Sequence, residues 1–280
     1  GRYLSRDMPE FGLVDGIEWS HRTDTGQRFG VSFGALPELD EDLDTGSDLQ
    51  FAAYWLWPDT IAERLTFGLG YQKTWHHLRA DRDLIVADKP HFLPTTTNGR
   101  LQRETLQTRL RVDFGEDEIV PLHRLDRLTA GLVICSRNPA TRADYQRIFL
   151  EGRAVKRYRG IVKQPFFCDE EIRLPMHKPR GSRQVLVADN GTPTSTYVRA
   201  AGREVTMWPR TGHTHQLRVL LNHLGSPLIG DDTYPTPRPL DLYDFSCPLS
   251  LLHETISFID PLSHSERQFF SSRGLGTTIR

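Results

Sequence analysis

Pro121-Leu-His-Arg-Leu-Asp-Arg-Leu-Thr-Ala-Gly-Leu-Val-Ile-Cys-Ser136 is the stretch on which the reading of this chain turns. One aspartate, Asp126, stands between Arg124 and Arg127, directly ahead of a Thr-Ala-Gly turn. Cations on either side favour its ionised form. The apolar run that follows, Gly131 to Cys135, has the length and branching of a buried strand. The carboxylate is therefore expected at a loop-to-strand junction, where a turn can aim it at a ligand. A turn residue in a structural salt bridge is the alternative, and nothing within the stretch itself decides between them.

Outward from this stretch, strand and helix patterns alternate. Leu84 to Ala87 reads as a short buried strand, ended at Asp88-Lys-Pro90 because proline cannot donate to a ladder. Residues 104–112 carry Leu106 and Leu110 four apart, the spacing of one helix face. Asn138-Pro139 predicts the start of a second helix, with Tyr145, Ile148 and Phe149 on one side and Gly152 at its end. Residues 155–162 read as a strand, with Tyr158 inside a basic ribbon. The prolines at 165, 175, 179 and 193 predict a loop-rich region over 163–193. Thr194 to Ala200 and Val205 to Trp208 predict a strand pair folded about Gly202. Residues 214–224 predict a helix with Leu217, Leu220, Leu221 and Leu224 inward, stopped by Gly225, and Leu251 to Ile259 a last strand. Strands with scattered helices and no regular βαβ rhythm indicate an α+β (mixed α/β) domain, here bounded at 81–280. Residues 1–80 form a separate N-terminal segment of unassigned role. Its acidic run at 38–44 reads as a solvated loop or link, and Trp55, Trp57 and Trp75 suggest that part of it packs on the rest.

A chain of 280 residues is long enough for a substantial core. No apolar run approaches the roughly 18 residues of a membrane span, and the first residues have no secretory pattern. Cys135, Cys168 and Cys247 lie far apart, neither a disulfide framework nor a zinc pattern. A cytoplasmic location is expected. The net charge of −1 conceals a segregation. Residues 1–60 hold 4 Lys and Arg against 12 Asp and Glu, while residues 121–220 hold 18 against 8. Such a distribution makes a local field suited to phosphates, and mutual neutralisation within one fold accounts for it equally well.

The stretch resembles the His-Arg-Leu-Asp-x-x-Thr-Ser-Gly-Leu motif of the RluA family of pseudouridine synthases. A second segment, Arg210-Thr-Gly-His-Thr-His-Gln-Leu-Arg218, resembles that family's Thr-Gly-Arg-x-His-Gln-Leu-Arg. Lys156-Arg-Tyr-Arg-Gly-Ile-Val162 is similar to its Lys-x-Tyr strand, Asp88-Lys-Pro90 to its Asp-Lys-Pro turn, and Gly225-Ser-Pro-Leu-Ile-Gly-Asp231 with Tyr234 to its Gly-x-Pro-Ile-x-Gly-Asp-x-x-Tyr segment. The first three motifs carry chemistry. The Asp-Lys-Pro and Gly-Asp segments look architectural. Ala130 stands where Ser is usual, His213 where Arg is usual and Leu220 where His is common. The segment His91-Phe-Leu-Pro-Thr-Thr-Thr97 lacks the usual glycine-containing loop, and no S4-like RNA-binding module is recognised in residues 1–80.

The resemblance implies a mixed, mostly antiparallel sheet flanked by helices, and isomerisation of uridine to pseudouridine in ribosomal or transfer RNA. It casts Asp126 as the nucleophile, Arg218 as a bidentate partner holding that carboxylate, and Tyr158 as the ring that packs on the base and aids loss of its C5 proton. Arg124 would displace the target nucleotide, with Arg127, Lys156 and His215 contacting RNA. Attack at C1′ of the ribose and attack at C6 of the base both remain open. No cofactor or metal is implied, and the enzyme is expected to act as a monomer away from membranes. Two rivals stand beside this reading. One is an RNA-binding paralogue impaired in catalysis. The other is a metal-dependent hydrolase built on His213, His215 and His223, although positions two apart on a helix do not share a face.

Overall fold

The computed structural model describes residues 2–4, 13–24, 27–37, 45–58, 66–75, 78–97, 104–239 and 247–275. The acidic run at 38–44 lies outside them. Two compact units divide the chain, Gly1–His77 and Leu78–Arg280.

The first unit, which the sequence reading left without strands, is an antiparallel meander. Its strands β1 (Arg2–Leu4), β2 (Leu13–Arg22), β3 (Arg28–Pro37), β4 (Thr45–Pro58) and β5 (Thr66–Trp75) pair in chain order. The register Trp19↔Val31↔Ala53 places odd-numbered residues of β2–β4 on one face. Ile17, Trp19, Val31, Phe33 and Trp55 are exposed there, whereas Ser32, Ala52 and Tyr54 are buried on the other. Trp55 packs on Phe29 of its own unit, 6.1 Å between ring centres. The side chains of Trp57 and Trp75 lie outside the described residues.

The second unit is built on a nine-stranded sheet in the order β11-β10-β13-β9-β7-β6. The members are β6 (Leu78–Ala80), β7 (Leu84–Lys89), β8 (Val120–Pro121), β9 (Ala130–Ser136), β10 (Val155–His177), β11 (Leu186–Val187), β12 (Thr192–Pro209), β13 (Leu251–Ile259) and β14 (Glu266–Phe270). β12 also pairs with β10, β14 with β13 and β8 with β9. Among the described strands only β9 and β13 run parallel, so the sheet is mixed and mostly antiparallel, as expected. Among the described residues three helices flank it: α1 (Leu106–Phe114), α2 (Arg142–Leu150) and α3 (Gln216–His223).

Both faces of the central strands are covered. Ile85 and Ala87 of β7 join Leu106, Leu110, Leu220 and Leu221 in one core, while Leu84 and Val86 join Tyr145, Ile148 and Ile256 in the other. Strands buried on both sides read as continuous apolar runs, which is why β7 and β9 stand out in the sequence. Gly131 is required where β9 meets β13. Its φ is +110°, and a Cβ there would sit 2.3 Å from the His253 carbonyl oxygen.

Three local readings need correction. Residues 163–193 are not mainly loop, because β10 runs on to His177. Thr194–Ala200 and Val205–Trp208 do not pair with each other. Both belong to β12 and pair with β10, across an irregularity between Ile161 and Phe166 that absorbs Pro165. The second helix starts at Arg142, after a turn in which the Asn138 side chain accepts from the Ala140 amide at 3.0 Å. Helix α3 does end as read, with Gly225 at φ +75° and its amide donating to Asn222.

His253 of β13 is fully buried; its Nδ1 lies 2.7 Å from the Leu132 carbonyl and its ring stacks on Tyr158 at 4.4 Å. Burial pushes its pKa down from 6.5 to about 3. The imidazole is therefore neutral when folded and takes up a proton more readily when unfolded. The stability this contributes is whole above pH 6.5 and drains as pH falls toward 3, by at most about 1.4 kcal/mol per pH unit. Urea titrations at pH 7, 6 and 5 should show a falling midpoint, and His253→Phe, which retains a stacking ring, should flatten that fall. Equal slopes for the two proteins would contradict this.

Candidate active site

Asp126 is held by the backbone on either side of it. Thr95 Oγ1 accepts from the Leu125 amide at 3.0 Å and donates to the Leu125 carbonyl at 2.9 Å, the work of a short strand bridge done by one hydroxyl. Downstream, the Thr129 amide donates to the Asp126 carbonyl at 3.1 Å and closes the turn. The loop carrying Thr95 is itself fastened by Lys89, whose buried ammonium donates to the carbonyls of Pro90 (3.0 Å) and Leu93 (2.8 Å). Burial pushes the Lys89 pKa down to about 7, with Arg273 acting in the same direction. The segment 91–97, which departs from the family pattern, thus supplies the clamp behind Asp126.

Arg218 does reach Asp126, though differently from the expected bidentate pair. Its Nε and Nη2 donate to the two oxygens of Asp231, at 2.9 and 2.6 Å, and Nη2 also donates to Asp232 at 2.7 Å. Only Nη1 is left for Asp126 Oδ2, at 3.3 Å. Asp231 wins the bidentate edge because it is fully buried at the end of a tight turn, where the amides of Thr233 and Tyr234 also donate to it. Burial works against the Arg218 cation, but its bonds to Asp231 and the charges of Asp231, Asp126 and Asp232 outweigh that and raise its pKa. Sequence reading treated Asp231 as architectural; the Gly-Asp-x-x-Tyr spacing was the available signal.

Asp126 Oδ2 also lies 3.7 Å from His215 Nε2, while Oδ1 makes no hydrogen bond among the described residues. His215 precedes α3 with a left-handed φ of 57°, and its Nδ1 is 3.2 Å from the Tyr234 hydroxyl. Burial lowers the His215 pKa against the pull of Asp126, so near neutral pH the ring carries little charge. Gln216 ties this wall to β12: it accepts from the His213 amide (3.1 Å) and donates to Thr196 Oγ1 (2.9 Å).

A cleft of about 950 Å³ opens in front of Asp126, and Arg124, Lys156, Tyr158, His215 and Arg218 line it too. Arg124 is exposed at the rim. Tyr158 is backed by His253, and burial together with the charge of Asp126 raises its hydroxyl pKa. Arg127 is absent from this lining. It lies over the Phe92 ring at 5.5 Å and lines a smaller neighbouring cleft. Leu220 is buried in the core, so the histidine common at that position has no counterpart in the cleft. His213 and His215 line the cleft and His223 does not; no group of three possible metal ligands occurs among the described residues.

The comparisons with known proteins converge. Residues 83–223 match the family described as RNA pseudouridylate synthase. The dual-specificity RNA pseudouridine synthase RluA of Vibrio vulnificus is 30% identical over 213 residues, covering 68% of this chain and 80% of that protein. Its Escherichia coli K12 counterpart is 29% identical, with coverages of 63% and 82%. An RNA pseudouridine synthase of Synechocystis is 31% identical over 56% of the chain, which spans 57% of that relative's length. The solved structure of human RNA pseudouridylate synthase domain containing 1 superposes with a TM-score of 0.54 at 21% identity, covering 69% of this chain and 81% of that one, which shows a shared fold.

Two of the three carboxylates on Arg218, those of Asp231 and Asp126, should differ in weight. Asp231→Ala leaves a buried guanidinium without its main partner and is expected to cost about 3–5 kcal/mol of stability. Asp126→Asn removes a longer, partly exposed contact and should cost under about 1 kcal/mol. Urea denaturation of both variants measures this, and equal losses would contradict the assignment of partners.

Proposed function

The chain belongs to the RNA pseudouridylate synthase family, enzymes that isomerise uridine to pseudouridine, and we propose that it acts on structured ribosomal or transfer RNA with Asp126 as the reacting carboxylate. One observation carries this reading. Asp126 faces an open cleft with one oxygen engaged by Arg218 and the other without a hydrogen bond among the described residues. A carboxylate aimed into the cleft by one contact, with its second oxygen free, is suited to attack.

In this reading the uridine leaves its stack, at a cost of a few kcal/mol, and Arg124 at the rim occupies the vacated place. The base enters the larger cleft beside Tyr158, whose ring offers a stacking face. Asp126 Oδ1 acts on C1′ of the ribose, the C1′–N1 bond breaks, and its electron pair stays on the uracil. The base turns, C5 bonds to C1′ as the carboxylate departs, the C5 proton leaves and N1 gains one. The reaction is balanced without an oxidant or reductant. With its pKa raised, Tyr158 is a neutral phenol at pH 7. It therefore takes the C5 proton only while handing its own to the freed Asp126, which returns to the carboxylate as that proton passes through water to N1. Lys156 and His215 lie along the same cleft, where they contact the RNA.

Asp126→Asn should abolish tritium release from RNA containing 5-tritiated uridine, by a factor of about 10³ or more, with an unchanged circular dichroism spectrum. Near-normal release from a folded variant would overturn the assignment. Tyr158→Phe keeps the ring and loses the proton relay, so its turnover should fall while RNA affinity holds. Unchanged turnover would remove the relay from the scheme.

A further inference from the structure

A second cleft, of about 390 Å³, also reaches Asp126. Arg124, Asp126, Thr214, His215 and Arg218 belong to both linings. A ribose placed with C1′ at Asp126 would therefore stand between two cavities. Its base can enter one and its phosphodiester chain can pass toward the other.

The linings differ in the way this division requires. The larger cleft contains Phe149 and Tyr158, rings on which a base can stack. The smaller contains no Phe, Tyr or Trp. Its wall offers cations and hydroxyls instead, the groups that contact sugar and phosphate. Arg183 is committed to Asp232 at 3.1 Å and to the Arg238 carbonyl, and Arg127 rests over Phe92. Lys178 is exposed and makes no hydrogen bond or ion pair among the described residues. The hydroxyls of Thr96, Thr97 and Thr214 likewise carry no hydrogen bond there. Asp126 and Asp232 are the acids of this wall, and both already face Arg218. Lys178, with Arg124 at the shared edge, and three uncommitted hydroxyls around a cavity without Phe, Tyr or Trp suit a singly charged phosphodiester.

We propose that the smaller cleft is a subsite for the ribose-phosphate joined directly to the target uridine, with Lys178 on the phosphate and the Thr96, Thr97 and Thr214 hydroxyls around it. This rests on the reading of Asp126 as the reacting group. Thr95 is excluded from the set because its hydroxyl is spent on Leu125. The subsite fixes the ribose relative to Asp126 through its phosphate, so its loss acts on binding before it acts on chemistry.

The test begins by mapping the pseudouridines that the wild-type protein forms in transcripts of ribosomal and transfer RNA. A short synthetic RNA spanning one such site is then made with a neutral methylphosphonate at each linkage flanking the target in turn. At one of the two linkages the neutral group should raise the wild-type KM about tenfold, the scale of one charge-assisted contact. Lys178→Ala should raise KM by a similar factor on unmodified RNA, leave kcat within about twofold and respond no further to that methylphosphonate. Its affinity should also depend less on salt, by about 0.7 in the logarithmic slope for one lost phosphate contact. Lys178→Arg should restore KM. Multiplying effects of the variant and the methylphosphonate, or a Lys178→Ala enzyme identical to wild type, would overturn the subsite. A wild-type protein that forms no pseudouridine in any transcript would overturn the underlying reading, and the subsite with it.

Discussion

Everything at this site depends on how a buried guanidinium is neutralised. Arg218 lies inside the molecule, where an unpaired charge would be prohibitively costly, and Asp231 supplies its two-pronged partner. That pairing fixes the guanidinium plane, and the plane sends Nη1 toward Asp126. Asp231 is itself placed by the sheet. The segment before it is laced to β10 and to the residue just ahead of β13, with the Ile229 amide donating to Ile161 and the Ser250 amide to Ile229, each at 2.9 Å. The orientation of one carboxylate is thus a consequence of strand pairing, carried through a single arginine.

Preorganisation of this kind leaves Asp126 lightly held and the surrounding groups tightly held. On one side a column of rings, Phe149, His123, His253 and Tyr158, runs from α2 to β10 with centre separations of 4.9, 5.5 and 4.4 Å. Its buried histidines are held neutral by desolvation, so the column presents Tyr158 without placing a competing charge behind it. On the other side the segment 89–97 is fastened by Lys89 and Thr95. A rigid frame around one adjustable carboxylate suits a reaction in which that group must bond and then depart.

The legible parts of the sequence were those with a one-dimensional cause. β7 and β9 are buried on both faces, so their apolar runs were plain, and Gly225 marked the end of α3. Asp126 and Arg218 stand 92 positions apart, and no spacing rule connects them; only the resemblance did. It overstated the pair as bidentate, because the turn that makes Asp231 the stronger partner is a matter of geometry rather than composition. The β10–β12 ribbon was misread through its prolines. Pro175 and Pro193 sit opposite each other in the ladder, where neither is asked for an amide. In the first unit the covered face carries small residues such as Ser32 and Ala52 and the open face carries Trp19, Phe33 and Trp55. This inverts the usual alternation and hides the strands from a search for apolar inward positions.

The most direct test of the central claim is a structure of the Asp126→Asn protein bound to an RNA it recognises but cannot convert. The target uridine should be extruded, with its base in the larger cleft, its C1′ within about 3–3.5 Å of the residue-126 side chain and Arg218 still gripping Asp231. A stacked, unflipped uridine, or a ribose lying beyond contact of that side chain, would contradict the account.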